Sequence, residues 1–76
     1  MPTIAKSLSQ TLGENIQFFR KKAKLTQQSL ALLIGYEGPE AGSVISRIES
    51  GDRQPRLATV RKIAEALGVK VVKLIS

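Results

Sequence analysis

Thr26–Gly51, TQQSLALLIGYEGPEAGSVISRIESG, is the stretch whose reading decides the fold. Thr26 suits a helix N-cap, where its hydroxyl can take a backbone N–H two or three residues on. Leu30, Ala31 and Ile34 then share one helical face. Gly35 is placed to stop that helix in a left-handed conformation, with Tyr36 packing back over its end. A second short helix offers Val44, Ile45 and Ile48 to a core, and Gly51 stops it in the same way. The stretch reads as two short helices joined by a glycine-containing turn.

These are the parts of a helix-turn-helix, in which the first helix crosses the DNA backbone and the second enters the major groove. The residues support a closer resemblance. Thr26-Gln27-x-x-Leu30-Ala31, then Gly35, then Ile45-Ser46-x-Ile48-Glu49-x-Gly51 resemble the DNA-binding domain of the phage Cro and C1 repressor (XRE) family. Pro55-x-x-x-Thr59-Val60-x-x-Ile63-Ala64-x-Ala66-Leu67-Gly68-Val69 is similar to that family's fourth helix, so the resemblance runs from about Leu8 to Ile75. It implies an all-α chain, a small five-helix bundle of the lambda-repressor-like type. One departure stands out: Tyr36–Ser43 carries about four residues more than the family's short turn. Proline suits the first position of a helix, so Pro39 predicts one additional turn at the leading end of the second helix. The other possibility is a longer loop, with the helix starting near Gly42 or Ser43.

With Val44, Ile45 and Ile48 facing inward, Ser43, Ser46, Arg47 and Ser50 are left outside. By family position Ser43 and Arg47 reach base edges, with Ser46 beside them, and Ser50 reaches a phosphate. The planar fork of Arg47 fits O6 and N7 of a guanine; a phosphate is its other possible partner. Glu40 would be repelled by DNA unless it accepts from a cytosine amine. Arg53 and Arg56 lie where the family's loop follows the DNA backbone, which implies phosphate contacts that set register without reading sequence. Gln27 and Gln28, at the positive end of the first of these helices, are expected to hold a phosphate there; plain first-turn polarity is the alternative. The resemblance further implies that Arg20 pairs with Glu49, bracing the preceding helix against the recognition helix and pointing the guanidinium towards a phosphate. Two unrelated surface charges are the alternative, worth little even in contact.

Residues 1–7 read as a loose arm. Ser7, with Gln10 three residues later, has the spacing expected of a capping box. Leu8, Leu12, Ile16, Phe19 and Ala23 follow at helical spacing, with Phe18 half buried beside them. Gly13 interrupts this helix at a cost of ~1 kcal/mol relative to Ala. Arg20-Lys21-Lys22-Ala23-Lys24 suits the negative end of its dipole. Further on, Leu57, Val60, Ile63, Ala64 and Leu67 make a core stripe that Gly68 ends, while Arg56 cannot cap that helix and leaves its start prone to fray. By family position Lys70–Ser76 is a fifth helix with Val72 and Ile75 near the core, though its β-branched composition also suits a strand. Its surplus apolar surface points to a dimer contact. Leu32 and Leu33 fall off the buried face, as tolerated surface leucines or as part of a protein-binding patch.

Composition sets the outer limits. Seventy-six residues make one domain with a small core, so dimerisation or very regular helix packing is expected to support it. The chain has no Cys and no His, which excludes a disulfide framework and any ordinary zinc site; no cofactor is expected. No apolar run is long enough to span a bilayer, and MPTIAKSLSQ lacks the apolar centre of a signal peptide, so a reducing cytoplasmic setting is expected. Twelve Lys and Arg against six Asp and Glu give a net charge of +6. That favours a polyanionic partner, although many small soluble proteins are simply basic. The acids are spread out and no phosphate-cradling glycine pattern appears, so an enzyme is not expected. The expectation is a sequence-specific regulator of transcription, acting as a repressor and binding double-stranded DNA as a homodimer at a roughly palindromic operator. The alternative is an antitoxin or similar protein-interaction module. It would hold a toxin partner through Leu32, Leu33 and the C-terminal segment, with DNA binding serving autoregulation.

Overall fold

A computed structural model describes residues 8–76. Five helices and no strand occupy them: α1 (Leu8–Lys22), α2 (Gln27–Leu33), α3 (Gly42–Ser50), α4 (Leu57–Leu67) and α5 (Val71–Ile75). The expected arm and the capping role of Ser7 lie outside the described residues. Helix α3 packs against both α1 and α2, and α5 lies against α1 and α4. The core is built from Ile16, Leu30, Ile45, Ile48, Ile63 and Leu74, each essentially inaccessible to solvent. Each apolar side chain removed from water in this way contributes roughly 1.5–3 kcal/mol, the dominant favourable term for so small a domain.

Helix ends follow one pattern. The Thr26 hydroxyl accepts the Ser29 N–H at 2.9 Å and caps α2. Gly35, Gly51 and Gly68 have positive φ at the ends of α2, α3 and α4. Behind each, two backbone N–H groups turn back onto the last turn of the helix; at α2 these are Gly35 to Leu32 and Tyr36 to Ala31. Helix α1 ends identically, but the left-handed residue is Lys24, at φ 61°. Its N–H donates to Lys21 O and that of Leu25 donates to Arg20 O, both at 3.0 Å.

Several expectations about packing are corrected. Pro39 does not begin α3. Residues 38–41 form a tight turn, closed by Ala41 N–H to Gly38 O at 3.2 Å, and the helix starts at Gly42. Proline's fixed φ serves a turn as readily as a first helical residue. The buried stripe of α1 is shorter than its periodicity: Leu8, at the helix's first residue, is exposed, and so is Ala23, because the helix ends at Lys22 and leaves it in the turn beyond. Phe18 is exposed too, edge-on to the half-buried Phe19 and beneath the Lys22 ammonium. Leu57 is exposed, one turn ahead of the buried Val60, and Val44 and Leu67 are half buried. In α5 it is Leu74 that enters the core, while Val72 and Ile75 face outward. Asn15 fixes that register by donating to Leu74 O at 2.8 Å and Ser76 O at 3.2 Å.

Candidate nucleic-acid interface

The recognition-helix position is set by how α3 meets α1. Gly13 is buried where the two helices cross. A Cβ on Gly13 would stand 2.5 Å from the carbonyl oxygens of both Ile48 and Glu49, so no other residue allows this approach. The sequence registers Gly13 only as lost helix propensity; its purpose depends on residues 35 positions or more away.

Beside this crossing lies a charged network. Arg20 is only 8% exposed. Its Nε donates to Glu49 Oε2 at 2.6 Å and its Nη2 to Glu49 Oε1 at 3.1 Å, a bidentate pair. Nη1 donates to Leu25 O at 2.8 Å, tying in the connection to α2. Gln27 completes the set by donating from Nε2 to Glu49 Oε1 at 3.0 Å. One carboxylate of α3 is thus gripped from α1 and from α2 together. Among the described residues no buried side-chain nitrogen or oxygen lacks a partner, so the network is fully satisfied.

The residues expected to touch phosphate fall into two groups. Arg20, Gln27 and Gln28 already have partners inside the chain. Gln28 accepts the Gly42 N–H on Oε1 at 2.7 Å and donates from Nε2 to Gly38 O at 3.0 Å. Each glutamine amide still keeps a second N–H. Arg53 and Arg56 are exposed and border the same shallow hollow as Tyr36 and Thr59, just past the end of α3. Arg56 makes no side-chain cap to α4, as its chemistry requires.

The outer face of α3 carries Ser43, Ser46, Arg47 and Ser50, all exposed, while Ile45 and Ile48 are buried behind it. Ser43 Oγ donates to Glu40 O at 2.7 Å and Ser50 Oγ to Arg47 O at 3.0 Å. With its hydrogen so engaged, Ser43 presents lone pairs outward. Arg47 is the one cation on this face. Sequence reasoning missed Ala41, 4% exposed, whose methyl joins the core from within the long connection. Its only sequence signal is that it is the small apolar residue of an otherwise polar segment.

No group of three or more acidic, His or Cys side chains among the described residues could hold a metal ion. No helix among them is long and apolar enough to cross a membrane.

Comparison with known proteins agrees with this geometry. A family model described as helix-turn-helix matches residues 16–74. The HTH-type transcriptional repressor RghR of Bacillus subtilis is 43% identical over 61 residues, 79% of this chain and 42% of that protein. The chain therefore spans less than half of that repressor's length. Among solved structures, the restriction-modification controller protein C.AhdI from Aeromonas hydrophila is 27% identical with a TM-score of 0.77, over 87% of this chain and 94% of that one. A hypothetical transcription factor, NHTF from Neisseria, is 25% identical with a TM-score of 0.82, over all of this chain and 86% of that one. The match covers most of the chain and takes in the Gly51-terminated α3 with its buried brace and exposed polar face: this protein belongs to the helix-turn-helix family of DNA-binding domains, of the Cro and C1 (XRE) type.

Proposed function

We propose that the protein is a repressor that binds a roughly palindromic operator as a homodimer, with α3 of each copy in the major groove. The observation that carries this reading is the outward face of α3: an exposed Arg47 among three exposed serines, on a helix whose other face is locked by Gly13 and Glu49. Arg47 takes a guanine through O6 and N7. Ser43, holding its hydrogen on Glu40 O, serves as an acceptor facing a cytosine or adenine amine, and Ser46 lies between them. Arg53, Arg56 and Ser50 contact phosphates on the flank, while Arg20 and Gln27 act from behind by holding Glu49. One nine-residue helix touches few base pairs. Two copies related by a two-fold axis read half-sites about 10 base pairs apart. The outward Val72 and Ile75 of α5 are the surface proposed for the contact between copies.

Leu32 and Leu33, 50% and 61% exposed, support a second reading in which the end of α2 holds a protein partner, as in an antitoxin. It is compatible with the first, since α3 stays free.

Selection on random duplexes tests the main reading. The native chain should enrich an inverted repeat bound by two copies. Arg47→Ala should lose ~1–3 kcal/mol on the selected site and relax the choice at one base pair. A weaker but unchanged base preference would make Arg47 a phosphate ligand, and one copy per site without an inverted repeat would remove the dimer.

A further inference from the structure

The segment Tyr36–Ala41, longer than a tight helix-turn-helix turn, is built rather than loose. Gly38 takes φ 94°, Ala41 is buried, and the turn closes on itself through Ala41 N–H to Gly38 O and Ser43 N–H to Glu40 O. Helix α3 nevertheless starts without a cap of its own: Ala41 occupies the N-cap position and has no side chain able to accept. The missing acceptor comes from another element. Gln28 on α2 receives the Gly42 N–H on Oε1 and, through Nε2, holds the Gly38 carbonyl at the far end of the same turn. The fit is close, since a Cβ on Gly42 would meet the Gln28 backbone nitrogen at 3.0 Å and its Cα at 3.1 Å.

We infer that Gln28 is a positioning residue for base recognition: its amide clamps the inserted turn at both ends and thereby sets where the first turn of α3, with Ser43, stands against a DNA groove. The inference rests on the reading that α3 enters the groove. It assigns the Gln28 amide to the protein rather than to a phosphate. Without the clamp, the Gly42 N–H loses its partner and the first turn of α3, with Ser43, loses its fixed position relative to α2. Discrimination at the base pair facing Ser43 then falls, while the charge neutralised along the DNA backbone stays the same.

The test uses the full chain with Gln28→Met, which keeps the length and packing but removes both hydrogen bonds, and Gln28→Ala as a second variant. Amide exchange at Gly42 should quicken at least tenfold in each, while exchange in the α1 amides stays near its native rate. Selection on random duplexes should show base preference relaxed on the Ser43 side and kept at the Arg47 position. The dependence of binding to random DNA on salt should be unchanged. A salt slope shallower by about one unit with an unaltered base preference would make Gln28 a phosphate ligand and overturn the inference. Unchanged exchange at Gly42 would overturn the clamp itself. Failure of the underlying reading looks different: Arg47→Ala and Gln28→Met would both select the native bases although Gly42 had lost its protection, which overturns the role in recognition and leaves only a structural contact.

Discussion

The two ends of α3 are held by different physics. Its C-terminal end lies in a crossing with α1 that only glycine permits, and its Glu49 is gripped by two donors from Arg20 and one from Gln27. Beyond the buried methyl of Ala41, its N-terminal end is tied to another element by one neutral amide, that of Gln28, reaching across a surface turn. The first is a buried arrangement in which every alternative is sterically or electrostatically costly. The second is a pair of hydrogen bonds near water, each worth about 1 kcal/mol net. The orientation of the helix is therefore over-determined at one end and adjustable at the other, which is the end nearest the bases in the reading proposed here.

Substitutions can break or sharpen this contrast. The largest effect is expected from Glu49→Ala, which strands a guanidinium that is 91% covered. The loss should be about 3–5 kcal/mol in chemical denaturation. Replacing both partners, Arg20→Met with Glu49→Met, should recover much of that loss, because the desolvation penalty goes with the charges. If the single variant costs under ~1 kcal/mol, the brace is not what holds this end. Next comes Gly13→Ala, whose methyl must displace backbone rather than a flexible side chain. It should cost about 3 kcal/mol and loosen α1 from α3, visible as faster amide exchange in both helices. At the other end, Gly38→Ala meets no atom within 4 Å and suffers only from its φ of 94°. A loss of about 1–2 kcal/mol, with exchange changing at Gly42 and not in α1, is expected. A global loss as large as that of Gly13→Ala would erase the distinction between the two ends. The smallest effect lies away from α3: Lys24→Gly relieves a lysine at φ 61° and should stabilise the chain by roughly 0.5–1 kcal/mol, seen as a higher Tm.

The sequence and the structure part company in an instructive way. Glycine announces the ends of α2, α3 and α4, because Gly35, Gly51 and Gly68 are the residue type that a left-handed stop favours. Lys24 performs the same task silently, since a lysine carries no such signal. The inward face of α3 is legible from the spacing of Val44, Ile45 and Ile48, yet periodicity cannot tell where a neighbouring helix ends. Leu8, Ala23 and Leu57 all keep the right phase and all lie outside the covered area. A five-residue α5 contains too little pattern to choose its face, and the choice of Leu74 over Val72 is fixed by Asn15, 59 positions away. The Arg20–Glu49 pair was accessible only through family resemblance. Its Gln27 donor and the Gln28 clamp were not accessible at all, because side-chain amides serve a phosphate, a carboxylate or a carbonyl with equal ease.

The contact between Asn15 and the carbonyl of Leu74 also has a kinetic meaning. It joins residues 59 apart, whereas the Gln28–Gly42 bond joins residues 14 apart. Loop-closure entropy grows with the logarithm of separation, so closing the longer loop costs about 1 kcal/mol more before any packing offsets it. Native local pairing can be sampled early in α2 and α3, while the first and last helices must wait for one another. The pairing of α2 with α3 would then precede the closure of α5 onto α1, which the 59-residue separation makes the late event of folding.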